Sequence, residues 1–439
     1  MKKINIGLIG FGTIGCGVVK VLSEKTDKLA QSAGTELHLK WVCDIDLSRA
    51  REVEVDPSKL TTDAKQVLND PEVDIVIELI GGIHPALEFI LTALKNKKHV
   101  VTANKALLAE HGTEIFTAAA QVNKTVFFEG SVGGGIPIIN AINVGLAANQ
   151  INSVFGILNG TTNYILTKMT QEGKDYAAVL KEAQDLGYAE KPDPSLDVLG
   201  KDAAHKLTIL ASLAFQTPIK MSDLLVEGIT EITAQDIQYA KEFGYAIKLL
   251  AIGKRTEDGI EVRVHPTMLP KDNLLASVNG VYNAILVEGD TVGTTLFYGR
   301  GAGDLPTASA VLSDVIAITK QIICSKQEAE CSQLSYTSGL LAAPGKPVKI
   351  KPASKLMAKY YLRFSSLDQP GVLASISGIL ARYNISISAV IQKGRKAHDV
   401  VPIVMLTHEA QEEAVQKAVK EIDALPVMKK KSVLIRVEN

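Results

Sequence analysis

Ile4-Asn5-Ile6-Gly7-Leu8-Ile9-Gly10-Phe11-Gly12-Thr13-Ile14-Gly15 is the stretch whose reading decides the fold. Ile4 to Ile9 is a short apolar run that reads as a buried strand, and Gly10, Gly12 and Gly15 follow it in the pattern G-x-G-x-x-G. Such a loop turns tightly and lets backbone approach a pyrophosphate. It also opens a helix whose free N–H groups and positive dipole end attract anions. Gly10, Phe11, Gly12, Thr13, Ile14 and Gly15 are therefore candidate dinucleotide contacts. Lys2, Lys3 and the apolar stretch to Val19 resemble a secretory signal, but the glycines and the lack of a small-residue cleavage site argue for strand, loop and helix instead.

Downstream, the same alternation continues. Leu37 to Asp44, Val73 to Ile80, Lys98 to Thr102 and Thr125 to Glu129 read as further strands, with helices over Pro85–Asn96 and Leu107–Gln121 between them. Regular alternation predicts a doubly wound parallel α/β sheet of Rossmann type over residues 1–135. Beyond Gly133-Gly134-Gly135 the helices lengthen (Ile138–Ala148, Thr161–Thr170, Gly200–Phe215). Strand-like runs return at Ile260–His265, Val281–Glu288 and Thr291–Phe297. Residues 136–300 are thus expected to form an α+β substrate domain, with 301–340 returning to the first domain. Pro344, Pro347 and Pro352 among lysines mark a linker over 341–356. Residues 357–439 read as an independent βαββαβ module of ferredoxin-like order: Tyr360–Phe364, Val372–Tyr383, Ile385–Val390, Val400–Leu406, Glu409–Ala424 and Ser432–Val437.

Composition narrows the function classes. In 439 residues, 46% are hydrophobic and 22% charged, and the formal net charge of −1 points to neither a nucleic acid nor an anionic membrane as partner. Cys16, Cys43, Cys324 and Cys331 fit no zinc spacing, and a reduced cytoplasmic setting is expected. No window reaches the roughly 18 apolar residues needed to cross a bilayer.

Chemistry is expected at three places. Asp44, ending the second strand, is placed to accept from ribose hydroxyls, which favours NAD. Arg49 and Arg51 read either as holders of a 2′-phosphate, which favours NADP, or as an exposed helix face. Thr102-Ala103-Asn104-Lys105 sits at the carboxyl edge of the fourth strand, where ligands of such sheets bind. Finally, Gly187 to Lys206 (GYAEKPDPSLDVLGKDAAHK) gathers Glu190, Asp193, Asp197, Asp202 and Lys206 in a loop running into an apolar helix. Asp202 and Lys206 are spaced to share a helix face, as a surface ion pair or as the charged start of a helix facing a cleft. His205, about 100° round that helix, reads as a packed side chain.

The segments IGLIGFGTIG, VIELIGG, VTANKALLA, EGSVGGGIPII, LNGTTNYIL, GYAEKPDPSLDVLGKDAAHKLTIL and YGRGAGDLPTASAV, in this order, resemble homoserine dehydrogenase, and the Asp368-Gln369-Pro370-Gly371 turn resembles that of an ACT domain. With no kinase segment ahead of residue 1, the monofunctional form is expected. The resemblance implies NAD(P)-dependent interconversion of L-homoserine and L-aspartate 4-semialdehyde, in threonine, methionine and isoleucine biosynthesis. It implies Lys206 as proton donor to the carbonyl oxygen, Asp202 as its orienter, and Lys105 beside nicotinamide and substrate. Glu190 would meet the substrate ammonium, with Asp197 a further substrate contact. Gly303 would line the nicotinamide pocket. The motif Glu190-Lys191-Pro192-Asp193-Pro194 is one residue longer than the usual Glu-x-Asp-Pro.

The resemblance further implies a sodium loop built from the Glu129 side chain and the carbonyls of Val132, Gly134 and Ile136; a glycine turn with a buried glutamate is the other reading. It implies a homo-oligomer, dimer or tetramer, with 136–300 supplying the interface. L-threonine is the effector expected at the ACT domain, which otherwise serves as a dimerisation module. Two competing readings are another ACT-bearing hydroxy-acid dehydrogenase, which would need a His acid–base group, and a non-catalytic dinucleotide and amino-acid sensor.

Overall fold

The computed structural model describes residues 3–325, 348–393 and 399–438. Cys331, much of the expected linker and the end of the expected return to the first domain (326–347) lie outside the described residues.

Apolar runs and glycine punctuation produce the elements in turn. Strands β1 (Ile4–Ile9), β2 (Leu37–Cys43), β3 (Leu60–Thr61), β4 (Ile75–Glu78), β5 (His99–Thr102) and β6 (Val126–Phe127) alternate with helices α1 (Thr13–Glu24), α2 (Thr26–Ala33), α3 (Ala64–Asn69), α4 (Ala86–Lys95) and α5 (Lys105–Gln121). The strands pair in parallel in the order β3-β2-β1-β4-β5-β6, so the switch point lies between β1 and β4, over the glycine loop. Both faces are covered. Ile6, Leu8, Ile75, Ile77, Val100 and Val101 are accordingly buried without the polar alternation of a half-exposed sheet.

Next come α6 (Ile138–Asn140), β7 (Ile151–Ile157), α7 (Gly160–Glu172), α8 (Tyr176–Asp185), α9 (Ser195–Val198) and α10 (Lys201–Phe215), followed by β8 (Leu225–Val226), α11 (Ala234–Glu242), β9 (Tyr245–Thr256), β10 (Gly259–Pro270), β11 (Tyr282–Gly289), β12 (Gly293–Arg300) and α12 (Asp304–Ser325). The helix expected over Ile138–Ala148 is a single turn, α6, running into a π-helical turn, Ala141–Gly145. Asp304–Cys324 of α12 is long and apolar enough by composition to cross a membrane, contrary to expectation, but 56% of its most apolar window is buried in the protein. It packs with the first sheet's elements: a Cβ on Gly17 would stand 2.8 Å from the Asp304 carbonyl oxygen, and one on Gly130 3.3 Å from Thr307.

The last elements are β13 (Met357–Leu367), α13 (Val372–Arg382), β14 (Ile387–Gln392), β15 (Val400–Thr407), β16 (Ala410–Gln411), α14 (Glu412–Asp423) and β17 (Met428–Val437). Tyr360, Leu362 and Phe364 on β13 pack with Val372, Ile376 and Leu380 of α13 and Val415 and Ile422 of α14, which accounts for the apolar periodicity of both helices.

The chain forms two compact units. One comprises residues 1–154, 205–221 and 283–348; the other 155–204, 222–282 and 349–439. In the second unit, β9, β10, β17, β13, β15 and β14 are consecutive neighbours in one sheet. The C-terminal module therefore shares a sheet with β9 and β10. The join is short, Thr267 opposite Arg436 and Met268 opposite Val437, and it runs parallel.

Candidate active site

The first unit holds a cleft of about 600 Å³ at the β1–β4 switch point, lined by Gly10, Gly12, Asp44, Thr62, Gly81 and His84 among others. Gly10 takes φ 105°, and a Cβ there would sit 2.6 Å from the Leu79 carbonyl carbon, so only glycine fits the turn. A Cβ on Gly15 would stand 2.1 Å from the Gly10 oxygen, whereas one on Gly12 would meet nothing within 4 Å. The N-cap of α1 is Gly12, which makes no side-chain cap. First-turn N–H groups beside open space suit a pyrophosphate.

Asp44 and Arg51 act together at the rim. Phe11 N donates to Asp44 Oδ2 at 2.7 Å, Asp46 N donates to Oδ1 at 3.0 Å, and Arg51 Nη2 lies 3.7 Å from Oδ1. Arg51 Nε donates to the Phe11 carbonyl at 2.8 Å, and its guanidinium lies 4.6 Å from the centre of the Phe11 ring. The exposed helix face expected for Arg49 and Arg51 does not form, because residues 44–56 make no helix. Carbonyls of Phe11, Asp46 and Arg49 instead engage the Arg51 fork and fold it onto the glycine loop.

At the carboxyl edge, Thr102 ends β5 and Lys105 opens α5, whose N-cap Asn104 accepts from Leu107 N. Thr102 Oγ1 donates to Glu78 Oε2 at 2.7 Å, and Ile80 N donates to Oε1 at 2.8 Å. Burial raises the Glu78 carboxyl despite these donors. Glu78 was not singled out by sequence reasoning. Its signal is an acid closing an otherwise apolar parallel strand.

The Glu129 carboxylate, 3% exposed, takes N–H donors from Ile139 at 2.9 Å and Asn140 at 2.8 Å. Burial pushes it up to about 7. Glu129 N donates at 2.8 Å to Asp314, a second buried carboxyl on α12, held well above the usual range by burial and by Glu129's charge. Two buried like charges favour a proton or a small hard cation. Gly133 and Gly134, at φ 72° and 56°, turn the Val132–Ile136 segment back on itself, with Ile136 N donating to the Gly133 carbonyl. Among the described residues, no group of three or more His, Cys, Asp or Glu could hold a metal ion, so a cation here would rely on backbone oxygens. Gly303, at φ 125°, immediately precedes α12.

In the second unit, Asn159 caps α7 through Thr162 N, and its Nδ2 donates to both Asp197 Oδ1 (2.7 Å) and Asp202 Oδ2 (2.8 Å). Thr161 Oγ1 lies 3.1 Å from Asp197 Oδ2 and 2.5 Å from the Tyr188 carbonyl. One amide thus gathers two expected carboxylates; Lys206 follows one turn beyond Asp202 along α10, in the stretch 205–221 assigned to the first unit, and both side chains are buried. Glu190 is exposed in the loop after α8; its carbonyl accepts from Gln184 Nε2, and no bond is formed by its side chain to the Asn159 cluster. Sequence reasoning passed over Asn159 and Thr161, although an Asn before Gly-Thr-Thr is an N-cap signal.

Known proteins sort these features. Residues 10–129 match the family model "homoserine dehydrogenase, NAD binding domain", 137–316 match "homoserine dehydrogenase", and 360–427 match "ACT domain". A homoserine dehydrogenase of Neisseria gonorrhoeae is 45% identical over 439 residues, covering 100% of this chain and 99% of the relative; that of Bacillus subtilis is 40% identical with the same coverage. The crystal structure of a Thiobacillus denitrificans homoserine dehydrogenase superposes with a TM-score of 0.93 at 45% identity, covering 100% of this chain and 99% of that one. A hyperthermophilic archaeal homoserine dehydrogenase in complex with NADPH matches at 28% identity and TM-score 0.62, covering 73% of this chain and 98% of that one. With a Rossmann cleft in the first unit, an ACT domain over residues 360–427 and relatives matched over their full length, the chain belongs to the homoserine dehydrogenase family.

Proposed function

We propose that the chain reduces L-aspartate 4-semialdehyde to L-homoserine with Lys206 as the proton donor, and that the reverse oxidation runs through the same groups. Bound nicotinamide supplies the hydride. The Lys206 ammonium gives its proton to the carbonyl oxygen as that oxygen becomes an alcohol, and solvent restores it. Asp202, one helical turn away, holds the ammonium's direction. Asn159 fixes Asp202 and Asp197 together, and that pairing is the observation that carries the reading: a bridged pair of carboxylates beside a lysine suits an amino-acid substrate. Asp197 receives the substrate ammonium, with Glu190 reaching it from the loop when substrate is present. Lys105 adds positive charge beside the nicotinamide.

Gly10 to Gly15, Thr102 and Gly303 hold the dinucleotide. NADP is favoured over NAD, because Arg51 already offsets the Asp44 charge that would repel a 2′-phosphate. Sodium bound by Glu129 and the carbonyls of Val132, Gly134 and Ile136 would neutralise the Glu129–Asp314 pair. The ACT domain takes L-threonine as feedback effector, the protein works as a homo-oligomer, and it resides in the cytoplasm.

The test is absorbance at 340 nm with L-homoserine and either cofactor, with and without threonine. Lys206→Ala is expected to lower kcat by about 10²–10⁴-fold while cofactor binding survives. Near-normal turnover in that variant would remove Lys206 from the mechanism. Nucleotide binding without turnover in the parent enzyme would favour a sensor.

A further inference from the structure

The second unit contains a chain of contacts from the C-terminal module to the segment carrying Asp197 and Asp202. It begins at Arg436 on β17, 1% exposed. Arg436 Nε and Nη2 donate to Glu412 at the start of α14, at 2.8 and 2.6 Å, and Tyr360 Oη donates to the same carboxylate at 2.9 Å. The rest of the guanidinium makes a two-pronged contact with Glu227, Nη1 to Oε2 at 2.7 Å and Nη2 to Oε1 at 3.0 Å. Glu227 follows β8, and its own N donates to Val264 of β10 at 2.8 Å.

From Glu227 the contact is backbone on backbone. A Cβ on the next residue, Gly228, would lie 2.2 Å from the Val198 carbonyl oxygen and 2.5 Å from the Leu199 Cα. Ile229 N donates to that same Val198 carbonyl at 2.8 Å, and a Cβ on Gly200 would lie 3.2 Å from the Glu227 carbonyl oxygen. Val198, Leu199 and Gly200 are three of the four residues between Asp197 and Asp202, Lys201 being the fourth. Their backbone rests directly on Glu227, Gly228 and Ile229, and the Glu227 side chain is held by a buried guanidinium from β17 that also binds Glu412 of α14.

We propose that Arg436 and Glu227 are positioning residues for substrate binding: their ion pair fixes the backbone of residues 198–200 and so the spacing of Asp197 and Asp202. This rests on reading Asp197 as the contact for the substrate ammonium and Asp202 as the residue that directs Lys206. A bidentate fork suits the task, because it fixes direction as well as distance. It also gives the ACT module a hold on substrate affinity that runs through this unit alone.

The experiment uses the full chain and measures kcat and both KM values for Glu227→Ala, Glu227→Gln and Asp197→Asn. Glu227→Ala is expected to raise KM for L-homoserine about tenfold while cofactor KM stays within about twofold. Glu227→Gln, which still accepts from Arg436, is expected to recover most of that loss. A parent-like homoserine KM in Glu227→Ala, or equal losses in kcat and both KM values, overturns the proposal. If Glu227→Ala does not fold, Arg436→Lys decides by the same split, since it keeps the charge and loses the fork. Asp197→Asn separates the two ideas. An unchanged homoserine KM there sinks the substrate reading and the proposal with it. A raised KM there with an unaffected Glu227→Ala sinks the positioning role alone.

Discussion

Arg436 and Lys248 are both buried cations in the second unit, yet they are held in opposite ways. Arg436 lies between two carboxylates, Glu227 and Glu412, and these partners raise its proton affinity despite burial. Among the described residues, Lys248 on β9 meets only neutral acceptors: the Val278 carbonyl, Asn163 Oδ1 and Asn279 Oδ1. Burial accordingly lowers it to about 8. The contrast teaches that a buried charge is fixed as a charge only by a counter-charge; dipoles alone leave it ready to neutralise. Each arrangement also orients something different. Arg436 ties the ACT sheet to Glu227, whereas Lys248 holds Asn163 on α7, the helix that Asn159 caps.

The sharpest way to break the comparison is Arg436→Met, which leaves Glu412 buried beside Tyr360 without its cation. A loss of about 3–5 kcal/mol is expected in denaturant unfolding, the scale for breaking a buried pair; a loss under about 1 kcal/mol would mean that Glu412 simply takes up a proton. Next in size is a pH effect. Lys248 drops to about 8 in the folded chain from 10.5, so between those values the unfolded chain binds more protons. Stability from this group should therefore rise as pH goes from about 8 to 10.5, by on the order of 3 kcal/mol. Unfolding midpoints of parent and Lys248→Met across that range isolate it, and parallel curves would refute it. Lys248→Met itself should change stability at pH 7 by less than about 2 kcal/mol, because losing a poorly solvated charge offsets the three acceptors left without a donor. A cost matching Arg436→Met would erase the distinction.

The smallest effect sharpens the same rule at the cofactor cleft, where Arg51, its side chain 8% exposed, offsets Asp44. Arg51→Ala should shift the kcat/KM ratio from NADP towards NAD by about tenfold. An unchanged ratio would show that the 2′ group is read elsewhere.

The features that the sequence disclosed are those whose cause is local. Gly10 to Gly15 announce a turn because the steric demand sits in those residues themselves, and the C-terminal βαββαβ order follows from clean periodicities. β9 escaped notice because Ile247 to Gly253 is buried throughout, so no polar alternation marks it. β7, cut by Asn152 and Ser153, gave no apolar run. Of the two readings of Arg51, the exposed helix face fails for a related reason: the carbonyl and ring of Phe11, 40 residues earlier, hold the guanidinium together with the nearby carbonyls of Asp46 and Arg49. Asp202 and Lys206 were legible as a helix pair, but the amide that joins Asp202 to Asp197 comes from Asn159, 43 residues earlier. The role of Glu190 came from the family motif, and its side chain stands exposed in the loop after α8.

The parallel join of β10 to β17 has a consequence for how the polypeptide is made. Glu227 and Arg436 are 209 residues apart, so β8 and β10 emerge from the ribosome long before their partner strand. Until β17 is synthesised, Thr267 and Met268 of β10 present unpaired N–H and C=O groups, an invitation to pair with a neighbouring nascent chain. Lys254 on β9 and Arg263 on β10 likewise wait for Glu438, which follows β17, with Glu261 beside Arg263 in the meantime. The last strand to be made therefore completes both the sheet and its ion pairs.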